Sequence, residues 1–263
     1  MTPAAAVRAA IPRDVADLLR ALRSAGFGAY VVGGAVRDVI AGRAPADWDL
    51  ATEATPDQLR ALFPNATYEN RFGTVGVPTI DGVVREITTF RADSGSSDSR
   101  RPDEVTFLPR IDGDLARRDF TINAIAVDPF TGTLIDPHGG QADLRARVLR
   151  HTSAAFAEDP LRVLRGFQLA ARFDLTLAPE TAALCRSISS SYVELPLERV
   201  WGEWEKWAVK AMRPSRGLQV LEETGWLAHF PEVAVLRGTL VDELAVEVGV
   251  SVHNGLRPGP SRC

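Results

Sequence analysis

The chain of 263 residues is poor in several features that would each mark a large class of proteins. Its two cysteines, Cys185 and Cys263, imply neither a disulfide framework nor a zinc site. Cys185 lies in a helical pattern and reads as a small core residue. His138 and His151 lack companions at metal-ligand spacing and read as surface residues. No run approaches the ~20 apolar residues of a membrane span. Met1 to Ala10 lacks the apolar centre of a secretory signal. The expectation is a cytoplasmic protein with no membrane partner. A cationic excess is also missing: 30 Lys and Arg against 34 Asp and Glu leave a net charge of −4. Any RNA binding must therefore come from a local patch. The apolar content of 45% and charged content of 24% are ordinary for a packed globular protein. That length holds one large domain or two small ones.

What is present centres on Gly33-Gly34-Ala35-Val36-Arg37-Asp38, followed by Asp47-Trp48-Asp49. Ala29 to Val32 reads as a strand ended by the glycine pair, and Ala35 to Ile40 as a helix stopped by Gly42. The glycines then occupy a tight strand-to-helix turn, where backbone N–H groups approach an anion. The next strand is expected to carry Asp47 and Asp49. Residues two apart on a strand face the same way, so both carboxylates converge. Two close carboxylates repel unless a cation sits between them, and Mg²⁺ shared with substrate phosphates is a standard solution. A phosphate-cradling turn followed by paired carboxylates is the minimum equipment for metal-dependent phosphoryl or nucleotidyl transfer.

Around this stretch, Asp14 to Ser24 has amphipathic helical spacing, and Thr55-Pro56 starts a further helix. Asp81-Gly82 joins two strand-like runs, a strong hairpin signal. The second run places Glu86, Thr88 and Phe90 on one face; Glu86 is a solvated strand residue or a third carboxylate beside Asp47 and Asp49. Ala92 to Asp98 is a loop by composition, leading to a strand over Val105 to Phe107. In the run from Asp114 to Ala124, Arg117 and Arg118 offer planar forks suited to phosphate, and Asp119 can lock one of them. Phe120, Ile122 and Ala124 are expected to alternate inward, with Asn123 free to bond a ribose or base. Farther on, Glu158-Asp159-Pro160 opens a helix on which Asp159, Arg162 and Arg165 share a face. Trp201, Trp204 and Trp207 recur every three residues and read as packing rather than base-stacking residues.

Three stretches, in this order, resemble the signature of the class II tRNA nucleotidyltransferases (the CCA-adding enzymes) and the related bacterial poly(A) polymerases. They are the Gly-Gly-x-Val-Arg-Asp turn with Asp-x-Asp, Arg117 to Ala124, and the Glu-Asp-x-x-Arg helix. The resemblance covers roughly Phe27 to Glu232. It implies an α+β fold: a polymerase-β-like nucleotidyltransferase head over residues 10–150 and an all-helical neck over 151–237. Residues 238–263 read as a short, frayed tail. The implied activity is addition of CCA, from CTP and ATP, to the 3′ end of tRNA, with release of pyrophosphate. Asp47 and Asp49 would hold Mg²⁺, and Glu86 would be the third catalytic carboxylate. Gly33, Gly34, Arg37, Asp38, Arg118, Asp119 and Asn123 would bind the nucleotide with Arg165. Asp159 and Arg162 would read the Watson–Crick edge of C or A. Gln168 stands where the family often has another Arg. The loop after Ala92 would help switch between CTP and ATP. Two other readings stay open. One is a poly(A) polymerase that uses no CTP. The other is a nucleotide-binding remnant, or one part of a split enzyme whose partner chain or dimer supplies the RNA-binding body.

Overall fold

The computed structural model describes residues 1–68, 73–94 and 104–235. It divides into two compact units, one of Met1–Ala146 with Arg150–Glu158, the other of Arg147–Leu149 with the residues from Asp159 onward. Arg147–Leu149 thus belongs to the second unit although Arg150–Glu158, later in the chain, belongs to the first. The expected tail over 238–263 and most of the loop over Ala92–Asp98 fall outside the described residues.

The first unit runs α1 (Pro3–Ala10), α2 (Arg13–Ser24), β1 (Tyr30–Val32), α3 (Gly34–Ile40), β2 (Asp49–Thr52), α4 (Pro56–Leu62) and β3 (Thr67–Tyr68). It continues through β4 (Thr74–Pro78), β5 (Val84–Thr89), β6 (Arg91–Ser94), β7 (Glu104–Phe107) and α5 (Ile111–Ala116). After a 3-10 turn over Thr121–Asn123 come β8 (Ala126–Asp128), β9 (Thr133–Ile135) and α6 (Gly140–Ala146). Seven strands form one mixed sheet in the order β3-β4-β5-β2-β1-β8-β9. All neighbours are antiparallel except β2 and β5.

The sheet has two apolar faces because its central strands alternate side chains between them. On one face Val31, Leu50, Ile87 and Val127 pack with Val15, Leu19 and Leu22 of α2, Val36 of α3 and Leu59 of α4. On the other, Val32, Ala51, Phe90 and Ala126 pack with Ile111 and Leu115 of α5. Leu22 is fully buried, so Leu22→Ala would cost about 2–5 kcal/mol. The helix at α4 starts as its sequence suggests: Thr55 and Gln58 form a reciprocal capping box. The Asp81-Gly82 hairpin is present, with β4 antiparallel to β5. Helix α1 was not anticipated; the Thr2 hydroxyl accepts from Ala5 N, and Ala4 and Val7 join the core.

Three expectations in this unit need correction. Asp47 is not on the strand, which begins at Asp49. Ala92 to Ser94 is not loop but part of β6, paired with β7 in a separate two-stranded sheet. Residues 120–125 do not alternate: all six are buried, because a 3-10 turn packs both sides of the segment inside.

The second unit contains β10 (Val148–Leu149), α7 (Leu161–Phe173), β11 (Thr176–Leu177), α8 (Pro179–Ser187), α9 (Leu197–Lys210), α10 (Pro214–Glu223) and α11 (Pro231–Ala234). It is helical except for the parallel pair β10–β11. Helix α10 crosses α7 closely at Gly217, where an added Cβ would meet the Phe167 ring at 2.8 Å. Trp204 and Trp207 pack on Phe167, with ring centroids 4.6 and 5.4 Å away. Trp201 does not join them and is 64% exposed. Steps of three residues drift around a helix of 3.6 residues per turn, so the first tryptophan leaves the packed face. Cys185 is buried, as expected, and burial pushes its thiol up to about 12. Among the described residues no helix is long and apolar enough to cross a membrane.

Candidate active site

The first unit holds a turn built to leave space. At the end of β1, Gly33 has φ 71° and ψ −128°, a conformation open to glycine and costly for other residues. Its N–H is fixed to Ile125 O at 3.0 Å. A Cβ on Gly33 would lie 2.7 Å from Nη1 of Arg118, so the guanidinium fills the space a side chain would take. Arg118 thus lies over the turn. Its Nη2 donates to Asp114 at 3.1 Å, while its Nε is buried without a hydrogen-bond partner among the described residues.

Asp114, on α5, is the anchor of this arrangement, and the sequence reading did not single it out. Its carboxylate is fully buried and takes Nε of Arg117 at 2.9 Å as well as Arg118. Burial alone would raise its pKa, but the charges of Arg118 and Arg117 and their hydrogen bonds outweigh it. The carboxyl is held below its ordinary value. Asp114 thus locks both arginines. Asp119 accepts from Phe120 N at 2.8 Å and from Asn123 Nδ2 at 3.0 Å.

Beneath the glycine pair runs a buried polar chain. Arg37 donates Nε and Nη2 to Asp38, at 2.9 and 2.6 Å, and Nη1 to Asn123 Oδ1 at 2.5 Å. Arg37, Asp38, Asp119 and Asn123 are all buried. Asn123 is not presented to a ribose or base; its amide joins Arg37 to Asp119. Arg37 likewise braces α3 and lies under Gly34, whose added Cβ would stand 3.6 Å from Nη2.

The carboxylates are distributed over two strands and a bend. Asp49 opens β2 opposite Val32. Leu50 is level with Ile87 across the parallel β2–β5 pair, so Asp49 and Glu86 come level on the face of Val32 and Ala51. Asp47 lies before the strand, its side chain 70% exposed. Its Oδ1 accepts from Trp48 N at 2.8 Å and from Arg85 Nη1 at 3.2 Å. Arg85 in turn donates Nε to the buried Asp14 at 2.8 Å. Among the described residues no three Asp, Glu, His or Cys side chains form a metal-holding group. Glu86 accordingly does not complete a three-carboxylate cluster with Asp47 and Asp49. The two aspartates are hard oxygen donors of the kind a small divalent cation takes when substrate phosphates supply the remaining ligands.

In the second unit Asp159 stands just before α7, while Glu158 ends a 3-10 turn of the first unit. Asp159 Oδ1 accepts from Leu161 N at 3.2 Å, and Oδ2 from Arg199 Nη2 at 2.8 Å. Arg199, on α9, is a second residue the sequence reading passed over; only its Glu198-Arg199 position at a helix start marks it. Arg162 and Arg165 are half-buried and both engaged. Gln168 is buried. His138 and His151 are half-buried rather than surface residues. Burial, with the Arg150 charge, pulls the His151 pKa down.

A glycine turn under an arginine fork, at the end of an inner strand of a mixed sheet whose neighbouring strand opens with Asp49, defines a nucleotidyltransferase-type head. Residues 29–150 match the family described as the poly(A) polymerase head domain, and residues 174–236 that of the probable RNA and SrmB-binding site of polymerase A. The chain belongs to the family of CCA-adding enzymes and poly(A) polymerases, of which it carries the head domain and the RNA-binding region. It is 38% identical over 226 residues to the CCA-adding enzyme of Geobacillus stearothermophilus, covering 84% of this chain and 55% of that protein. The crystal structure of the Bacillus stearothermophilus CCA-adding enzyme in complex with CTP superposes with a TM-score of 0.72 at 36% identity. That match covers 81% of this chain and 52% of the other. The Thermotoga maritima CCA-adding enzyme complexed with tRNA gives a TM-score of 0.67 at 27% identity, over 84% and 53% of the two chains. The chain spans about half the length of the curated relatives it matches.

Proposed function

We propose that this protein adds CCA to the 3′ end of tRNA, one nucleotide at a time from CTP and ATP, with release of pyrophosphate. The observation that carries the reading is the Gly33 turn: a left-handed glycine with the Arg118 guanidinium in the Cβ position and a buried Nε still to be satisfied. A triphosphate oxygen supplies the missing acceptor, and a charge-assisted bond to an arginine is among the stronger polar contacts. The relatives' CTP and tRNA complexes support the same reading.

In this account Asp47 and Asp49 hold Mg²⁺, which when bound lowers the pKa of the RNA 3′-hydroxyl and offsets triphosphate charge. Glu86, level with Asp49, orients the attacking hydroxyl. Gly33, Gly34, Arg118 and Arg165 bind the triphosphate. Arg37, Asp38, Asp119 and Asn123 act one step back, holding the turn in shape. Asp159 and Arg162 select the base: arginine offers donors and aspartate acceptors, while C and A each present an exocyclic amine beside a ring acceptor. Arg199 keeps the Asp159 carboxylate turned to one side.

The test supplies tRNAs ending before CCA, before CA and before A, with Mg²⁺ and labelled CTP or ATP. Addition that stops at CCA is expected, with Asp49→Ala inactive. Long A tails without C would replace the reading by poly(A) synthesis. CTP binding without transfer to any RNA would mean that RNA capture needs a further chain.

A further inference from the structure

The second unit contains a charge cluster that the nucleotide reading does not use. Asp174, the residue that ends α7, receives three arginines. Arg147 donates Nη1 at 2.5 Å, Arg216 donates Nε at 3.0 Å, and Nε of Arg213 lies 3.5 Å away. The arginine side chains are 66%, 34% and 53% exposed, respectively. Three guanidiniums bring about fifteen N–H donors to a carboxylate with about four lone-pair sites. Gln219 takes one more of them, from Arg216. The cluster keeps two positive charges in excess and donors directed at solvent, in a chain whose net charge is −4.

A second observation is independent of charge. Arg147 and Asp174 are the two non-glycine residues with positive φ, at 56° and 54°, among the described residues. A left-handed backbone costs an ordinary residue about 1–2 kcal/mol. Aspartate tolerates it; arginine has no local hydrogen bond to favour it. The neighbouring strand pair β10–β11 and the bond from Thr176 N to Arg147 O at 2.9 Å hold that conformation. Strain maintained in this way is a reason to look for a function.

We propose that Arg147, Arg213 and Arg216, gathered on Asp174, form a docking site for the phosphodiester backbone of the RNA substrate. Asp174 serves as the hub that holds three forks together, and the RNA phosphates take the outward donors. The inference rests on the RNA-substrate reading above. The bland alternative is that the arginines only complement the negative end of the α7 dipole. That role needs one cation, and it gives no dependence on RNA.

The experiment measures binding of the full chain to a duplex acceptor-stem minihelix by fluorescence anisotropy, between 50 and 300 mM KCl. Each neutralised phosphate contributes about 0.9 to the slope of log K against log salt. The variant Arg147→Gln/Arg213→Gln/Arg216→Gln is expected to lose about two to three units of slope and to bind at least tenfold more weakly at low salt. Its CTP affinity by calorimetry should equal that of wild type, because none of the three is placed at the nucleotide. If the triple variant does not fold, Arg147→Gln and Arg216→Gln singly should each lower the slope by about one. An unchanged slope with intact CTP binding overturns the proposal, and so does a wild-type chain that does not bind the duplex. Failure of CCA addition alone, with the slope reduced as stated, would overturn the functional reading and leave the docking site standing.

Discussion

Replacing Asp114 by Asn removes a charge without changing shape, at the point where Arg117 and Arg118, the second of them in the proposed nucleotide site, are held. The carboxylate is fully buried, whereas Arg117 and Arg118 keep 18% and 17% of their side-chain surface in water. Removing one partner of a buried ion pair costs about 3–5 kcal/mol. The residual exposure of the arginines puts this case near the lower end, about 3 kcal/mol. In a chain of this size each kcal/mol moves the melting temperature by about 2–4 °C, so the expected loss is about 6–12 °C at pH 7. The pH dependence follows from the direction of the shift. Asp114 has a folded pKa below its unfolded one, so its contribution is complete above the ordinary carboxylate value. It is lost as pH falls through the depressed folded value. Calorimetric melts of the two proteins should therefore converge below about pH 4. A shift under about 2 °C at pH 7, or a gap that stays constant down to pH 3, would refute the anchoring role.

Other consequences follow from single contacts. Gly33→Ala places a Cβ 2.7 Å from Arg118 Nη1 in a left-handed backbone. It should weaken CTP binding at least tenfold in calorimetry while lowering stability by about 1–2 kcal/mol, and unchanged CTP affinity would contradict the assigned place of Arg118. Arg85→Gln takes a positive charge from Asp47 Oδ1, so Mn²⁺ binding followed by electron paramagnetic resonance should tighten roughly several-fold. Weaker binding would mean that Arg85 orients Asp47 instead of competing for it. Arg199→Ala frees Asp159 Oδ2. Incorporation of U or G relative to C should rise in a competition assay; unchanged selectivity would remove Arg199 from base selection.

The sequence made the strand–Gly-Gly–helix unit legible because the glycines, the β-branched run and the helical spacing all agree locally. The Thr55 cap and the Asp81-Gly82 hairpin were readable for the same reason. Other features depend on partners distant in sequence. Asp47 was placed on a strand by its spacing to Asp49, yet its bond to Arg85, 38 residues away, belongs to a bend that no local pattern marks. Asp114 carried no local signal beyond opening its run, yet it is the buried anchor, since burial is set by tertiary packing. Asn123 looked available because Phe120, Ile122 and Ala124 have the spacing of an alternating strand. A 3-10 turn buries both sides of that segment and consumes its amide. Arg199 is 40 residues from Asp159, and only the packing of α9 beside α7 joins them.

The most direct test of the central claim is single-nucleotide addition to a tRNA that ends before CCA, read on a sequencing gel with CTP and ATP supplied together and separately. The account predicts two C additions from CTP alone, a final A only when ATP is present, and no product from Asp49→Ala. Extension by ATP with no use of CTP, or an Asp49→Ala protein as active as wild type, would contradict it.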